Sequence, residues 1–434
     1  SVAPTRVAAG GALGSWDTLL ASVPPLTAPP TSPASIDKLP CHDVNGARVY
    51  IQRLPEEGLA QIGAVMLVGT ADQREDETHC AHMAEHMALM YPGPSSKSVW
   101  SIAAESYSLG STLPLQGETG PDYTAFVMAV PEEETLHTLS IFLDSLFRTT
   151  LTDDSAFQME IKRGRHKLTV MTTHDEVALL NKLRLGMCKG TCYWEDLFGT
   201  PLTEVSADKV RAFMEREYTP ARLSLVILSD CSEAEILDCV ARGLESIPPG
   251  KGPSDHSDVR FDPPETDILL LRPDEQRAGL AVGVSGVSSE DMAAVEALLN
   301  IATKRLYADF RRSTGARMEA SLHRVLMTKS TAIATFGFTA RTSAHSIEAS
   351  GDQNAVLLRE ILASLAAQGP SLSELSRFAI PGSTQSQMQM PVLPPYWEAE
   401  MLAIQLIPRV DLEDLLLTEP DTSLEATQAV LKVT

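Results

Sequence analysis

Residues 61–90 read QIGAVMLVGTADQREDETHCAHMAEHMALM, and their order decides the fold. The apolar run 62–70 is about half the ~18–20 residues of a membrane span and reads as a buried strand. Gly69 breaks it, a polar loop follows, and a helix pattern begins. The same order returns in residues 277–306, RAGLAVGVSGVSSEDMAAVEALLNIATKRL. Setting Gly69 against Gly286 brings the two helices into register without a gap, which points to a duplicated unit. Outward from these anchors, residues 123–130 and 223–229 are strand-like. Residues 132–148, 154–171, 176–187 and 207–217 carry helical periodicity. In the second half, 332–340 alternates like a strand and 355–368 is periodic like a helix. The expected class is α+β: two homologous domains, each a mainly antiparallel sheet packed with helices.

Composition narrows the classes of function. The 434 residues carry 35 basic and 57 acidic side chains, a net charge of −22, which argues against nucleic-acid partners. It also opposes docking on an anionic lipid surface. A hydrophobic share of 44% excludes general disorder, and the length exceeds one ordinary core. Six cysteines (Cys41, Cys80, Cys188, Cys192, Cys231, Cys239) form no disulfide framework, so a reducing or organellar compartment is expected. Cys188 and Cys192 are spaced like half a metal site, but no second pair completes it. Residues 1–35 are rich in Pro and Ala and are expected to be extended. The first domain is expected over 36–247, a linker over 248–264 (PPGKGPSDHSDVRFDPP), and the second domain over 265–434. A start at Ser1 without Met fits a mature form whose targeting segment was removed, or a trimmed chain.

The chemistry concentrates in His82-Met83-Ala84-Glu85-His86. On a helix these three polar residues share one face. Two imidazoles one turn apart can both bind Zn²⁺, and the carboxylate beside them can take a proton from metal-bound water. The order H-x-x-E-H is the inverse of the commoner zinc-peptidase motif. A helix that merely carries two surface histidines would present the same letters.

With that motif in place, the chain resembles the pitrilysin/insulinase family of metallopeptidases, the inverted zincins, over roughly residues 40–415. Asn45-Gly46-Ala47-Arg48-Val49 is similar to the family's opening strand. Phe213, Tyr218 and Pro220 resemble the end of its first domain, and residues 306–315 (LYADFRRSTG) resemble a segment of its second. The two-domain layout looks most like processing-peptidase beta subunits and the related core subunits of cytochrome bc complexes. The resemblance implies half of a clam-shell chamber, completed by a homologous two-domain subunit. It assigns Glu85 as catalytic base, His82 and His86 as zinc ligands, and Arg311 as a substrate contact. The family's third ligand is a Glu on a later helix, two turns after another Glu. Here Glu160 matches the earlier one, and Lys167 stands where the ligand is needed. His166, one residue back, is the first substitute and Glu160 the second.

Two further departures bear on substrate. Pro114 falls near an Asn of the family's substrate-edge strand and would weaken β-augmentation by a peptide. Met318 replaces a Tyr able to donate to an oxyanion. In the second half, Leu299, Ala302 and Thr303 stand opposite the motif, so no second metal site is expected. Two functions follow from the resemblance. One is a structural core subunit of the mitochondrial cytochrome bc complex (complex III), on the matrix side of the inner membrane, with no membrane span of its own and degenerate peptidase activity. The other is an active zinc endopeptidase of the processing-peptidase beta type, cleaving basic presequences drawn in by the acidic balance.

Overall fold

The computed structural model describes residues 36–53, 59–91, 97–102, 115–148, 150–172, 185–186, 188–195 and 200–256. Beyond these it describes strands 268–272, 277–287, 318–327 and 332–341, and helical positions scattered between 301 and 374. The expected helix 176–187 (apart from 185–186), Pro114, Leu299, Thr303 and Arg311 lie outside the described residues.

Among the described residues, ten strands form two sheets. In the first the order is β1(Cys41–Val44), β2(Ala47–Arg53), β6(Leu223–Ser229), β3(Leu59–Met66), β5(Thr124–Pro131), β4(Leu115–Thr119). Only the β2–β6 pair is parallel; the other four pairs are antiparallel. The second is antiparallel throughout, in the order β7(Ile268–Arg272), β8(Arg277–Val287), β10(Ala332–Arg341), β9(Met318–Met327). This is the α+β class the sequence predicts, with mainly antiparallel sheets.

Strand position follows composition. β6, LSLVILS, is buried at every residue and lies in the interior of its sheet, as a near-continuous apolar strand must. β2 alternates instead, with Ala47, Val49 and Ile51 buried. One face of the sheet places Ile62, Ala64, Met66, Leu225 and Ile227 in a large core with five helices. These are α1(Cys80–Met90), α2(Thr135–Phe147), α3(Ser155–Thr172), α4(Ala207–Glu217) and α5(Glu233–Gly243). The opposite face carries a small cluster around Val65, Leu67, Tyr123, Val226 and Leu228.

The structure adjusts several expectations. Asn45 and Gly46 are not strand but the turn between β1 and β2, both at positive φ (54° and 89°), the geometry that Asn-Gly hairpins favour. The helix expected from residue 132 opens as a 3-10 turn, Glu132–Glu134, because Pro131 ends β5 in extended geometry. Edge strands β1 and β4 and helix α5 were not anticipated. The start of α5 was nonetheless readable: Ser232 and Glu235 form a reciprocal capping box. The proposed linker is tied down where it is described. Ala221 N–H donates to the Pro249 carbonyl (2.9 Å), Thr219 Oγ1 to that of Lys251 (2.8 Å), and Arg222 Nε to that of Gly252 (3.0 Å).

Arg222 is the centre of that junction. Buried before β6, it pairs with Asp72 (3.2 Å) and Glu217 (2.8 Å), both themselves shielded. Asp72 in turn accepts from the Gly69 N–H (3.0 Å) and fixes the turn after β3. There the chain passes so close to its neighbour that a Cβ on Gly69 would lie 2.2 Å from the Pro121 carbonyl oxygen. Replacing Arg222 takes one cation from two half-buried carboxylates, of which Glu217 keeps Arg216 (2.7 Å) and Asp72 keeps the Gly69 N–H. Arg222→Ala is expected to cost about 1–3 kcal/mol, read as a lowered urea midpoint at unchanged slope.

Candidate metal centre

Helix α1 is buried on most of its circumference. Cys80, Ala81, Met83, Ala84, Met87 and Ala88 all contribute to the main core. Its entry is pinned rather than capped by its own side chain. His79 sits in the left-handed region (φ 72°), with Nε2 2.9 Å from the Thr200 carbonyl and its N–H donating to Glu195 Oε1 (3.3 Å). Gln73 bridges the same point, accepting from the Ala81 N–H (2.8 Å) and donating to Glu195 (2.9 Å). The preceding loop is closed by Glu77, which takes both guanidinium nitrogens of Arg216 at 2.7 and 2.6 Å.

The polar stripe of this helix is His82, Glu85 and His86. Their ligand atoms lie within 4.8 Å of one another, and the two rings meet edge to face at 4.9 Å. From α3, Glu160 Oε2 reaches His86 Nδ1 at 3.1 Å while its Oε1 accepts from Arg163 at 2.5 Å. A proton held on Nδ1 by this carboxylate leaves Nε2 with its lone pair, the arrangement that orients metal-binding histidines. Glu160 is therefore placed against the outer nitrogen of His86.

Glu85 is set from the other side by β4. Thr119 Oγ1 donates to Glu85 Oε2 at 2.7 Å. Gly117 leaves the carboxylate its room: a Cβ there would lie 2.6 Å from Oε1. Burial pushes the Glu85 carboxyl up, opposed by the Thr119 hydrogen bond and by the charges of His86 and Lys167. His82 moves the other way, down to about 3, through burial first and then the neighbouring His86, Lys167 and His79. Its imidazole stays neutral.

Lys167 thus acts on both His82 and Glu85. It follows Glu160 by seven residues on α3, close to two helical turns, and so returns to the same stripe of the helix. His166 is exposed and is not among the side chains whose donors converge. One residue back from Lys167, it is turned ~100° around the helix. Among the described residues the converging donors are two imidazoles and Glu85, and Lys167 falls where the resemblance expects a third ligand. An ammonium has no lone pair to give and repels a cation. With Glu85 kept as the base, the described residues bring two imidazoles together as ligands and no further donor beside them.

Thr119 and Gly117 escaped the sequence reading, which set the substrate edge around Pro114. The strand facing Glu85 is β4, and the letters Gly-Glu-Thr carried no periodic signal. A second acidic group, Glu132, Asp230 and Cys231, also has ligand atoms within 4.8 Å. There Glu132 Oε1 accepts from the Asp230 N–H (2.9 Å) and from Ser229 Oγ, a junction between strand end and helix.

Two sheets with helices and an inverted His-x-x-Glu-His on a buried helix are the arrangement that the resemblance to inverted zincins leads one to expect. Residues 204–378 match the family model described as "Peptidase M16 inactive domain", from just before α4 through the four-stranded sheet. Together with the motif, this match makes the chain similar to the pitrilysin/insulinase (M16) family. An uncharacterized zinc protease of Bacillus subtilis, YmxG, is 24% identical over 286 residues, 62% of this chain. The match spans 66% of that relative, just short of two thirds of its length. Among solved structures, a protease from Helicobacter pylori is similar with a TM-score of 0.73 at 13% identity, covering 93% of this chain and 97% of that one. A peptidase M16 inactive domain from Pseudomonas fluorescens reaches 0.69 at 13% identity, covering 91% and 95%. These structural likenesses speak for the fold. Among the described residues no helix is long and apolar enough to cross a membrane.

Two measurements probe the stripe. The usual His82 value of 6.5 falls to about 3 on folding, so the unfolded chain binds a proton there that the folded chain refuses. Stability from this group is present above pH 6.5 and lost as pH falls; Glu85, raised on folding, works in the opposite sense. His82→Gln should reduce acid destabilisation between pH 6 and 4 by up to about 1.4 kcal/mol per pH unit, measured by denaturant melts. Thr119→Val removes the one hydrogen bond that lowers Glu85, and should move its carboxyl titration upward by NMR.

Proposed function

We propose that this chain is a metallopeptidase-like subunit with a degenerate metal centre, serving as a structural and peptide-handling half of an assembly with a homologous two-domain chain. What supports this is Lys167, two turns after Glu160 on α3 where the resemblance expects a third ligand, with its charge acting on His82 and Glu85 of an otherwise ordered stripe. Chemistry is then absent from this half, and what remains is a sheet-and-helix body able to pair. In its more specific form, the reading is a core subunit of the cytochrome bc complex on the matrix side of the mitochondrial inner membrane. The resemblance of residues 40–415 to such subunits supports that form; the named relatives are bacterial. Affinity purification of the full chain should bring down a second chain of the same family. Haem-carrying subunits in the same fraction support the respiratory assignment, and a stable pair without haem removes it.

A second reading has one observation in its favour. The ligand atoms of His82, Glu85 and His86 already converge within 4.8 Å, with His86 oriented by Glu160. An active zinc endopeptidase of the processing-peptidase beta type would use Glu85 as general base on a basic presequence, and the −22 charge would draw such peptides in. The two readings divide on one assay. With added zinc and a basic presequence peptide, the paired protein is expected to show no cleavage that depends on Glu85. Cleavage that falls by roughly a hundredfold or more in Glu85→Gln would install the peptidase reading instead.

A further inference from the structure

We infer that the solvent face of helix α3 is a docking surface for an acidic, extended polypeptide segment. The inference goes beyond the function proposed above and holds whether or not the stripe binds metal. Its origin is a local reversal of charge. The chain carries −22 in total, yet residues 161–174, IKRGRHKLTVMTTH, contain no Asp or Glu and place Lys162, Arg163, Arg165 and Lys167 close together. An α-helix turns ~100° per residue. Phe157, Glu160, Ile161 and Gly164 therefore share the buried arc of α3, and the four cations lie on its exposed remainder. Arg163 is answered there by Glu160 at 2.5 Å. Among the described residues Lys162, Arg165 and Lys167 have no carboxylate partner. Like charges three and four residues apart on a helix repel, and an anionic partner relieves that repulsion.

Two observations select a peptide among anions. Met159 stands on the same face, 53% exposed, so the face offers apolar contact that a free phosphate cannot use. A membrane plane or a nucleic-acid duplex has the charge, but each is wide enough to meet the acidic remainder of the −22 chain as well. A single strand engages the helix alone: the face from residue 158 to 169 is ~16 Å long, which about five extended residues span. The edge of the face is fixed in place, because Glu160 holds Arg163 with one oxygen and reaches His86 Nδ1 with the other (3.1 Å). An acidic segment on α3 therefore lies next to the His82–Glu85–His86 stripe, where the total charge alone would favour a basic one.

The test is fluorescence anisotropy of the full chain with a labelled octapeptide of alternating Glu and Ser, against the same peptide with Lys for Glu. The Glu peptide should bind and weaken roughly tenfold between about 50 and 300 mM salt, and the Lys peptide should not bind. Reversing two exposed charges outside the stripe, Lys162→Glu with Arg165→Glu, should weaken the Glu peptide by roughly tenfold or more. The charge-keeping pair Lys162→Arg with Arg165→Lys should retain binding. Circular dichroism and a cooperative melt certify that each variant is folded. A Glu peptide that does not bind at low salt, or that binds the folded reversal as well as wild type, overturns the inference. Co-sedimentation with phosphatidylserine vesicles that is lost in the reversal, without peptide binding, overturns it in favour of lipid. No arm uses zinc or cleavage, so each result leaves the reading of the metal centre where its own assay puts it.

Discussion

The first half of the molecule is organised by one constraint: a helix carrying two histidines and a glutamate is buried on nearly every side. Helix α1 supplies six small or flexible apolar residues to the core, so its position is set by packing before any polar contact is considered. Its polar stripe must then be satisfied by neighbours, because buried polar groups without partners are costly. Glu160 from α3 answers His86, and Thr119 from β4 answers Glu85. The pinned helix start does the same for the backbone, which would otherwise leave donors unpaired.

This explains the shape of the surrounding fold. β4 must come close enough for Thr119 to reach the carboxylate, and only a residue without a Cβ allows it at position 117. Farther off, the turn that brings α1 back over the sheet depends on Gly69 and on Asp72, held by buried Arg222. Arg222 also fastens residues 252 and 254. A long-range polar lock therefore links the turn before α1, the entry to β6 and the segment after α5. The stripe is rigid because its scaffold is fastened at several separate points.

Legibility in the sequence followed the strength of periodic signals. β6 was read to the residue because seven consecutive apolar or small residues fit a central strand. Helix α4 was also read to its ends, framed by the Ser206 cap and the Tyr218-x-Pro220 stop. β1 and β4 were not read, since edge strands of four or five mixed residues lack a second turn of pattern. At the site, three of the residues were adjacent on one helix and visible as a motif. Thr119 and Gly117 reach the site by strand pairing, which no local pattern encodes. Lys167 was legible only through the seven-residue step from Glu160, and its significance needed the fold to place α3 against α1.

The persistence of His-x-x-Glu-His is not by itself an argument for catalysis. Two members of the stripe have a structural task. His86 closes a chain of contacts through Glu160 to Arg163, and Glu85 fills the space beside Gly117 under the Thr119 hydroxyl. Loss of His86 leaves buried Glu160 with Arg163 alone, and loss of Glu85 takes the partner of the half-buried Thr119 hydroxyl, at a cost on the order of 1 kcal/mol each. The third ligand position has no such tie, being the exposed face of α3. A site that stops binding metal can therefore change first where exposure makes change cheap, while the buried residues stay.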